Sequence, residues 1–378
     1  MPEKHLHIIS FDVPYPPNYG GVIDIFYTVR ALQAKGVRVH LHCFRYGREP
    51  APELESLCHE VHYYPRMRGW GSALSWKPFI VMSRRSKMLM HNLLKDQYPI
   101  LFEGLHSCYF LDDVRLSGRL KIYRESNIEH HYYYHLFKAE HHLYKRLYLL
   151  IESWKLRIFQ QRLKSANIML TVSTDDRAYL ASCFPGNNVR YLPSFHKDDD
   201  INILPGKGTF ALYHGNLGVA ENVLAAKFLI EEVFRGLATP LVIAGLNPPG
   251  KLERMIRKVP HVTLIKNPSE DKMNELIRTA QVNILVTFQK TGLKLKLLNA
   301  LFSGRFCLVN PEMVAGTELA GLCESGSGAA ELKKIVTTLM NRSFDENMIE
   351  KRKEALMQFH SNTKNCEILL NLLPLSDS

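Results

Sequence analysis

No apolar run in the 378-residue sequence approaches the roughly 20 residues that a membrane-spanning helix needs. The seven cysteines (43, 58, 108, 183, 307, 323 and 366) include no Cys-x-x-Cys pair and are odd in number. Neither a zinc site nor a disulfide frame is therefore expected, and the residues read as buried thiols of a reducing compartment. The opening MPEKHLHIISF enters a strand-like run without the apolar segment or cleavage site of a signal peptide, which leads to the expectation of a cytoplasmic protein. Zinc-finger spacing, RRM-type motifs and compact Lys/Arg tracts are lacking, so nucleic acid is not an expected partner. Sequence repeats and low-complexity tracts are lacking too.

What is present describes a globular chain. Hydrophobic residues make up 46% and charged residues 22%, and the length exceeds one ordinary core, so two domains are expected. The formal charge of +11 calls for a polyanionic partner: nucleic acid, an anionic membrane face or a phosphate-rich small molecule.

Strand-like and helical patterns alternate along the chain. His5–Phe11 reads as a strand, the Pro/Gly-rich Asp12–Gly21 as a loop, and the helix after it carries Val22, Ile25, Phe26, Val29 and Leu32 on one face. Val37–Phe44 completes a βαβ unit whose loop lies at the carboxyl end of a strand, where open α/β sheets bind ligands. Gly20-Gly21 has no third glycine in register, so this is not a dinucleotide fingerprint. Further strands are expected at Val61–Tyr64, Ile100–Glu103, Leu120–Arg124 and Ile168–Val172, with Ser173 as a helix N-cap. A second series follows at Phe210–Tyr213, Leu241–Ala244, Val262–Ile265, Val282–Val286 and Phe306–Val309. Such alternation predicts parallel sheets covered on both faces. The expected boundaries are residues 1–194, a linker at 195–208, 209–343, and a helical tail at 344–378 crossing back to the first domain.

The stretch TFQKTGLKLKLLNALFSGRFCLVN (287–310) is the focus of the second half. It gives strand, Gly-containing loop, a helix with Leu293, Leu297, Leu298 and Leu301 on one stripe, and a strand. A helix opening at a strand's carboxyl end offers unpaired N–H groups and a favourable dipole to phosphate, and Lys294 and Lys296 add charge beside it. Two residues apart, the lysines do not share a helical face; Lys294, nearer the start, is the expected contact.

Taken in order, HIISFDVPYPPNYGG, NIEHHYY, TVSTDD, YHGNLGVAENVLAAKFL, LVIAGLNPP, IKNPSEDKMNELIRTAQVNILVTF and TGLKLKLLNALFSGRFCLV resemble the GT-B-fold glycosyltransferases, the bacterial family 4-like group in particular. The resemblance covers nearly the whole chain. It implies an α/β GT-B architecture, two Rossmann-like domains with a deep inter-domain cleft. It also implies transfer of a sugar from a nucleotide-diphosphate donor to a glycan or lipid-linked acceptor, with no cofactor and no metal. Donor-binding positions carried over are Gly20, Gly21, Gly215, Asn216, Thr291, Gly292, Leu293, Lys294, Lys296 and Asn299. Thr291 and Asn299 stand where the family commonly has two glutamates, so donor identity and stereochemistry are not carried over. His106 matches a histidine that touches the transferring sugar; an inverting route would need a base, with Asp12, Glu103 and His106 as candidates. Arg124, Asn127 and Glu129 fall on an Arg-x-His-Asn-x-Glu pattern on the acceptor side, with Ser126 replacing the histidine.

Glu129–Lys164 reads as one long basic, aromatic helix. Together with Arg84–Lys87 it is expected to dock on an anionic membrane surface, making the protein peripheral on the inner face of the cytoplasmic membrane. His131 and His135 have a metal-compatible spacing without the accompanying Glu-His pairing. Alternatives are a catalytically inactive nucleotide-sugar-binding relative and a sugar-nucleotide epimerase on the same architecture.

Overall fold

The computed structural model describes residues 4–69, 75–288 and 295–374. These divide into two compact units, residues 4–195 with 362–374 and residues 196–288 with 295–361. In the first unit, His5–Ser10 (β1), Arg38–Arg45 (β2), Glu60–Pro65 (β3), Ile100–Glu103 (β4), Lys121–Glu125 (β5), Ile168–Thr171 (β6) and Asn188–Tyr191 (β7) form a sheet. Among the described residues it runs β3-β2-β1-β4-β5-β6-β7, every neighbouring pair parallel. Its central strands are apolar on both faces, as parallel strands covered by helices must be. Alternate residues feed two cores: Ile9, Phe102, Tyr123 and Met169 on one face, Ile8, Leu101, Ile122 and Leu170 on the other.

Gly20–Ala34 (α1) covers the second face through Val22, Ile25, Val29 and Leu32 and ends at Gly36, whose φ of 79° is one that glycine adopts without strain. The expected single helix over 129–164 is instead Glu129–Ala139 (α2), Leu143–Phe159 (α3) and a short 3-10 turn, Gln160–Ser165. Glu140 turns extended, and its carboxylate accepts the N–H groups of His141 (2.8 Å) and His142 (2.9 Å). This local bonding competes with helix continuation. The two helices fold back on each other, with Ser153 Oγ donating to His130 O at 2.8 Å. Ser173 does cap its helix, accepting from Asp176 N–H at 3.0 Å.

The second unit contains Ala211–Asn216 (β8), Leu241–Leu246 (β9), Val262–Lys266 (β10), Val282–Leu285 (β11), Phe306–Val309 (β12) and Glu324–Ser325 (β13). Among the described residues its parallel order is β10-β9-β8-β11-β12-β13. Ala220–Phe228 (α4) follows β8, and Leu295–Ser303 (α5) precedes β12 with Leu295, Leu297, Leu298 and Leu301 buried. Residues 195–208, read as a linker, are packed. Phe195 is buried in the first unit and its N–H donates to Asp24 at 2.6 Å, Ile203 joins the second unit's core, and Gly206 exchanges backbone bonds with Phe344. In the tail, Glu346–Phe359 (α6) is held in the second unit, Arg352 Nη1 donating to Gly304 O at 2.7 Å. Asn362–Leu370 (α7) is held in the first, where Cys366 Sγ lies 3.3 Å from Ala31 O and Lys4 Nζ donates to Leu370 O at 2.9 Å.

Candidate functional site

Each sheet reverses strand order beside its first strand, and the carboxyl ends flanking that reversal form a natural crevice. In the first unit these are the ends of β1 and β4. Gly104 follows β4 with φ of 67°, and a Cβ there would also lie 3.2 Å from His106 Nδ1, so glycine is what lets the chain turn His106 onto this edge. Nδ1 of His106 lies 3.7 Å from Glu129 Oε1 at the start of α2, beyond hydrogen-bond length. The His106 side chain is 19% exposed and Glu129 is buried. Burial, then the positive charges of Arg84 and Arg66, push His106 well below the usual histidine range. Burial raises Glu129 to about 8, only partly offset by Arg84. Burial thus favours the uncharged form of both groups, and the pair offers an imidazole nitrogen and a carboxyl at one edge for hydrogen bonding to a hydroxyl.

Arg84, read from sequence as a membrane-facing base, is buried instead. Its Nε donates to Phe11 O at 2.7 Å and its Nη1 to Ile80 O at 2.6 Å, and desolvation lowers it to about 9. No pattern in the sequence marks it as anything but a surface base. Asp12 is occupied in shaping the loop after β1. It accepts from Val13 N–H (2.9 Å) and Tyr19 OH (2.8 Å), while Arg48 donates to Val13 O (3.0 Å) and Pro16 O (2.8 Å). Gly20 and Gly21 open α1, and a Cβ on Gly21 would lie 2.5 Å from Phe11 Cζ, so its lack of side chain already has a cause within the fold.

Glu103 and Arg124 are cross-strand neighbours on the α1 side of the sheet. Arg124 is fully engaged inside the fold: it is bidentate to Asp24 (2.8 and 3.0 Å) and donates to Leu192 O (3.3 Å) and Pro193 O (3.0 Å). It is a fold-building ion pair and presents no face to a ligand. Burial raises Glu103 to about 8 despite Arg124, and its Oε1 has no hydrogen-bond partner among the described residues. Asn127 N–H donates to Glu125 at 3.1 Å, and its Oδ1 likewise has no partner. The structure thus brings His106 and Glu129 together, gathers Glu103 with Arg124 and Asp24, and leaves Asp12 to the loop.

In the second unit the corresponding edge is the end of β8 and β11. Gly215 pairs in register with Gly245, where a Cβ would meet Gly215 O at 1.9 Å, so the strands approach too closely for any side chain there. Asn216 is exposed and its Oδ1 accepts from Gly218 N–H at 3.0 Å. Asn222 on α4 ties this turn together. Its Nδ2 donates to Asn216 O (2.9 Å) and its Oδ1 accepts from Lys296 Nζ (3.3 Å). Lys296 also lies over the Tyr213 ring at 5.6 Å. α5 thus directs Lys296 to the β8 turn, while Lys294, the expected contact, lies outside the described residues. Beside it, Asn310 accepts from Thr287 N–H (3.0 Å) and donates to Thr287 O (2.6 Å), latching the ends of β11 and β12. Asn299 is half-buried, with Oδ1 unpartnered among the described residues. Thr291, Gly292, Leu293 and Lys294 lie outside the described residues.

No family model matches the chain. It is 25% identical over 322 residues, 79% of this chain and 81% of the other, to an uncharacterized 44.6 kDa protein in the cps region of Klebsiella pneumoniae. Among solved structures it is similar to sucrose-phosphate synthase from Thermosynechococcus elongatus, with TM-score 0.66, 13% identity and 98% of each chain covered. It is also similar to Anabaena HepE in complex with UDP and glucose, with TM-score 0.66, 9% identity, and 98% of this chain and 99% of that one covered. At such identities the likeness is one of fold. The chain has the GT-B fold, two Rossmann-like domains with parallel sheets.

Proposed function

We propose that this protein is a glycosyltransferase that moves a sugar from a nucleoside-diphosphate donor to a glycan or lipid-linked acceptor in bacterial polysaccharide synthesis. The observation that carries this reading is the GT-B fold over 98% of the chain. The cps-region relative favours a polysaccharide setting, and the complex of HepE with UDP and glucose favours a uridine-type donor. Lys296 and the turn from Gly215 to Gly218 would receive the diphosphate. A lysine fixed by Asn222 meets the charge that builds on the leaving group without reorganising, in the place a divalent ion would otherwise fill. His106, neutral beside Glu129, would accept the proton of the attacking hydroxyl. Seven free thiols suit a cytoplasmic setting.

The test is a thermal-shift screen against UDP-, GDP-, ADP- and dTDP-sugars, followed by assay of the one that binds. One donor should raise the melting temperature, and nucleoside diphosphate should be released from it. Stabilisation by none of them overturns the reading. Binding without release points to an inactive nucleotide-sugar-binding relative, and an epimerised donor formed without acceptor points to an epimerase.

A further inference from the structure

The helix α3 carries its apolar side chains on the wrong face for a helix that ends at solvent. Against the first unit it packs a mixed face, Glu152, Ser153, Leu156 and Phe159. Outward it presents Leu143, Tyr144, Leu147, Ile151, Trp154 and Ile158, with Tyr144 91% and Leu143 78% exposed. At about 3.6 residues per turn these six fall within about a third of the helix circumference, so they form one continuous stripe. Trp76 is likewise 85% exposed, three residues before Phe79, whose N–H donates to Glu152 on the packed face of α3 at 2.7 Å. Single exposed apolar residues need no explanation, but a contiguous stripe of this kind marks an interaction surface.

Charge selects the occupant. Lys145, Arg146 and Arg157 are exposed on the rest of the helix surface, and among the described residues none of them forms an ion pair, whereas Lys155 and Arg162 are paired with Glu152 and Asp112. The whole chain carries +11. Closing the stripe against a second copy would gather both sets of these bases around one seam, which like charges oppose. An anionic bilayer offers apolar depth for the stripe and negative headgroups for the bases, with Tyr and Trp suited to the boundary. We infer that α3 lies in the interface of an anionic lipid bilayer with its outer apolar stripe inserted. Binding is then driven by apolar insertion as well as by the bases, unlike a purely electrostatic surface, and it does not depend on the transfer reaction proposed above.

The experiment is co-sedimentation of the full chain with phosphatidylglycerol or phosphatidylcholine vesicles at low and high salt. Wild type should sediment with phosphatidylglycerol and remain partly bound at about 1 M salt, where the Debye length falls to about 3 Å and only unscreened apolar contact persists. Leu147→Glu with Ile151→Glu should reduce the bound fraction about tenfold or more at both salt concentrations. Both sites are exposed, so the melting temperature and nucleotide-sugar shift should stay at wild-type values. Arg146→Ala with Arg157→Ala should weaken binding roughly twentyfold or more at low salt and little at high salt. Wild type left in the supernatant with phosphatidylglycerol overturns the inference, as does unchanged sedimentation of the glutamate pair or equal binding to phosphatidylcholine at low salt. A dimer in sedimentation velocity that the glutamate pair dissolves, with no vesicle binding, would assign the stripe to a second copy instead.

Discussion

At the carboxyl ends of β1 and β4 the side chains are ionisable and withdrawn from water: His106 and Glu129 within 3.7 Å, Glu103 beside Arg124, and Arg84 behind them. At the matching ends of β8 and β11 the groups are mainly amides, a hydroxyl, close-packed glycines and one lysine, with Glu221 accepting from the Thr287 hydroxyl and His214 buried on β8. The topology is the same, since both sheets reverse order beside their first strand. The chemistry differs because desolvation moves the pKa values of the ionisable groups that crowd the first edge, whereas the second presents mainly hydrogen-bonding amides and backbone groups with a lysine beside them. Under the proposed function, the first edge would handle protons and the second anions.

The largest expected effect follows from breaking the first of these. His106→Ala should lower the transfer rate about 10²- to 10⁴-fold while leaving the affinity for nucleoside diphosphate at the wild-type value. The pH profile of transfer by the wild-type protein should show no inflection from His106 in the usual histidine range, since His106 is held well below it; an inflection is expected only from Glu129, at about 8. Rate and titration calorimetry on one preparation separate the two quantities, and a variant that loses affinity and rate together would dissolve the division of labour. The complementary break is Lys296→Ala, which should weaken nucleoside-diphosphate binding about ten- to a hundredfold, a charge-assisted bond being worth roughly 1.5–3 kcal/mol. Unchanged affinity there would move the anion site off the β8 turn.

The contrast also shows what could be read in advance. The strand series was legible because buried parallel strands leave short apolar runs such as IMLT and FCLV in the sequence. Strand β13 was not, being two exposed residues, Glu324 and Ser325. The break between α2 and α3 was hidden because it depends on one carboxylate, Glu140, turning back to its neighbours' N–H groups. Arg84 and Arg124 carry the same charge in the sequence as any surface base. Only tertiary packing makes one a buried neighbour of the His106–Glu129 pair and the other the counter-ion of Asp24. His106 and Asn216 were singled out by pattern; Asn222, which joins Lys296 to the β8 turn, has meaning only once α4 and α5 are placed.

A smaller effect separates ligand from fold at the glycine pair. Gly21→Ala should lower stability by about 1–3 kcal/mol, because the new methyl must displace the Phe11 ring. Nucleoside-diphosphate affinity should not change. A drop in affinity at unchanged melting temperature would return Gly21 to the donor site.

The last expectation compares the two units under acid. On one face of the first sheet His7 bonds His42 (2.8 Å) and Asp96 (2.9 Å), His5 bonds His40 (3.0 Å), and His42 bonds Tyr64 OH (2.8 Å). Glu60, His62 and Arg119 complete the charged surroundings. Burial lowers His7, takes His40 to about 4 and holds His42 well below its usual value, outweighing Asp96 and Glu60. The unfolded chain then binds more protons than the folded one between the ordinary histidine value of about 6.5 and these lowered values. The stabilisation is complete above about 6.5 and is lost as pH falls toward about 4. In the second unit His214, lowered to about 3, sits at the strand-end edge without such a stack. Peptides from β1 to β3 should therefore lose hydrogen-exchange protection between about pH 7 and about pH 5, after correction for intrinsic exchange chemistry, by more than peptides from β8 to β10. Equal losses in both units would mean that the histidine stack is as well solvated in the folded chain as in the unfolded one, and that its burial carries no proton linkage.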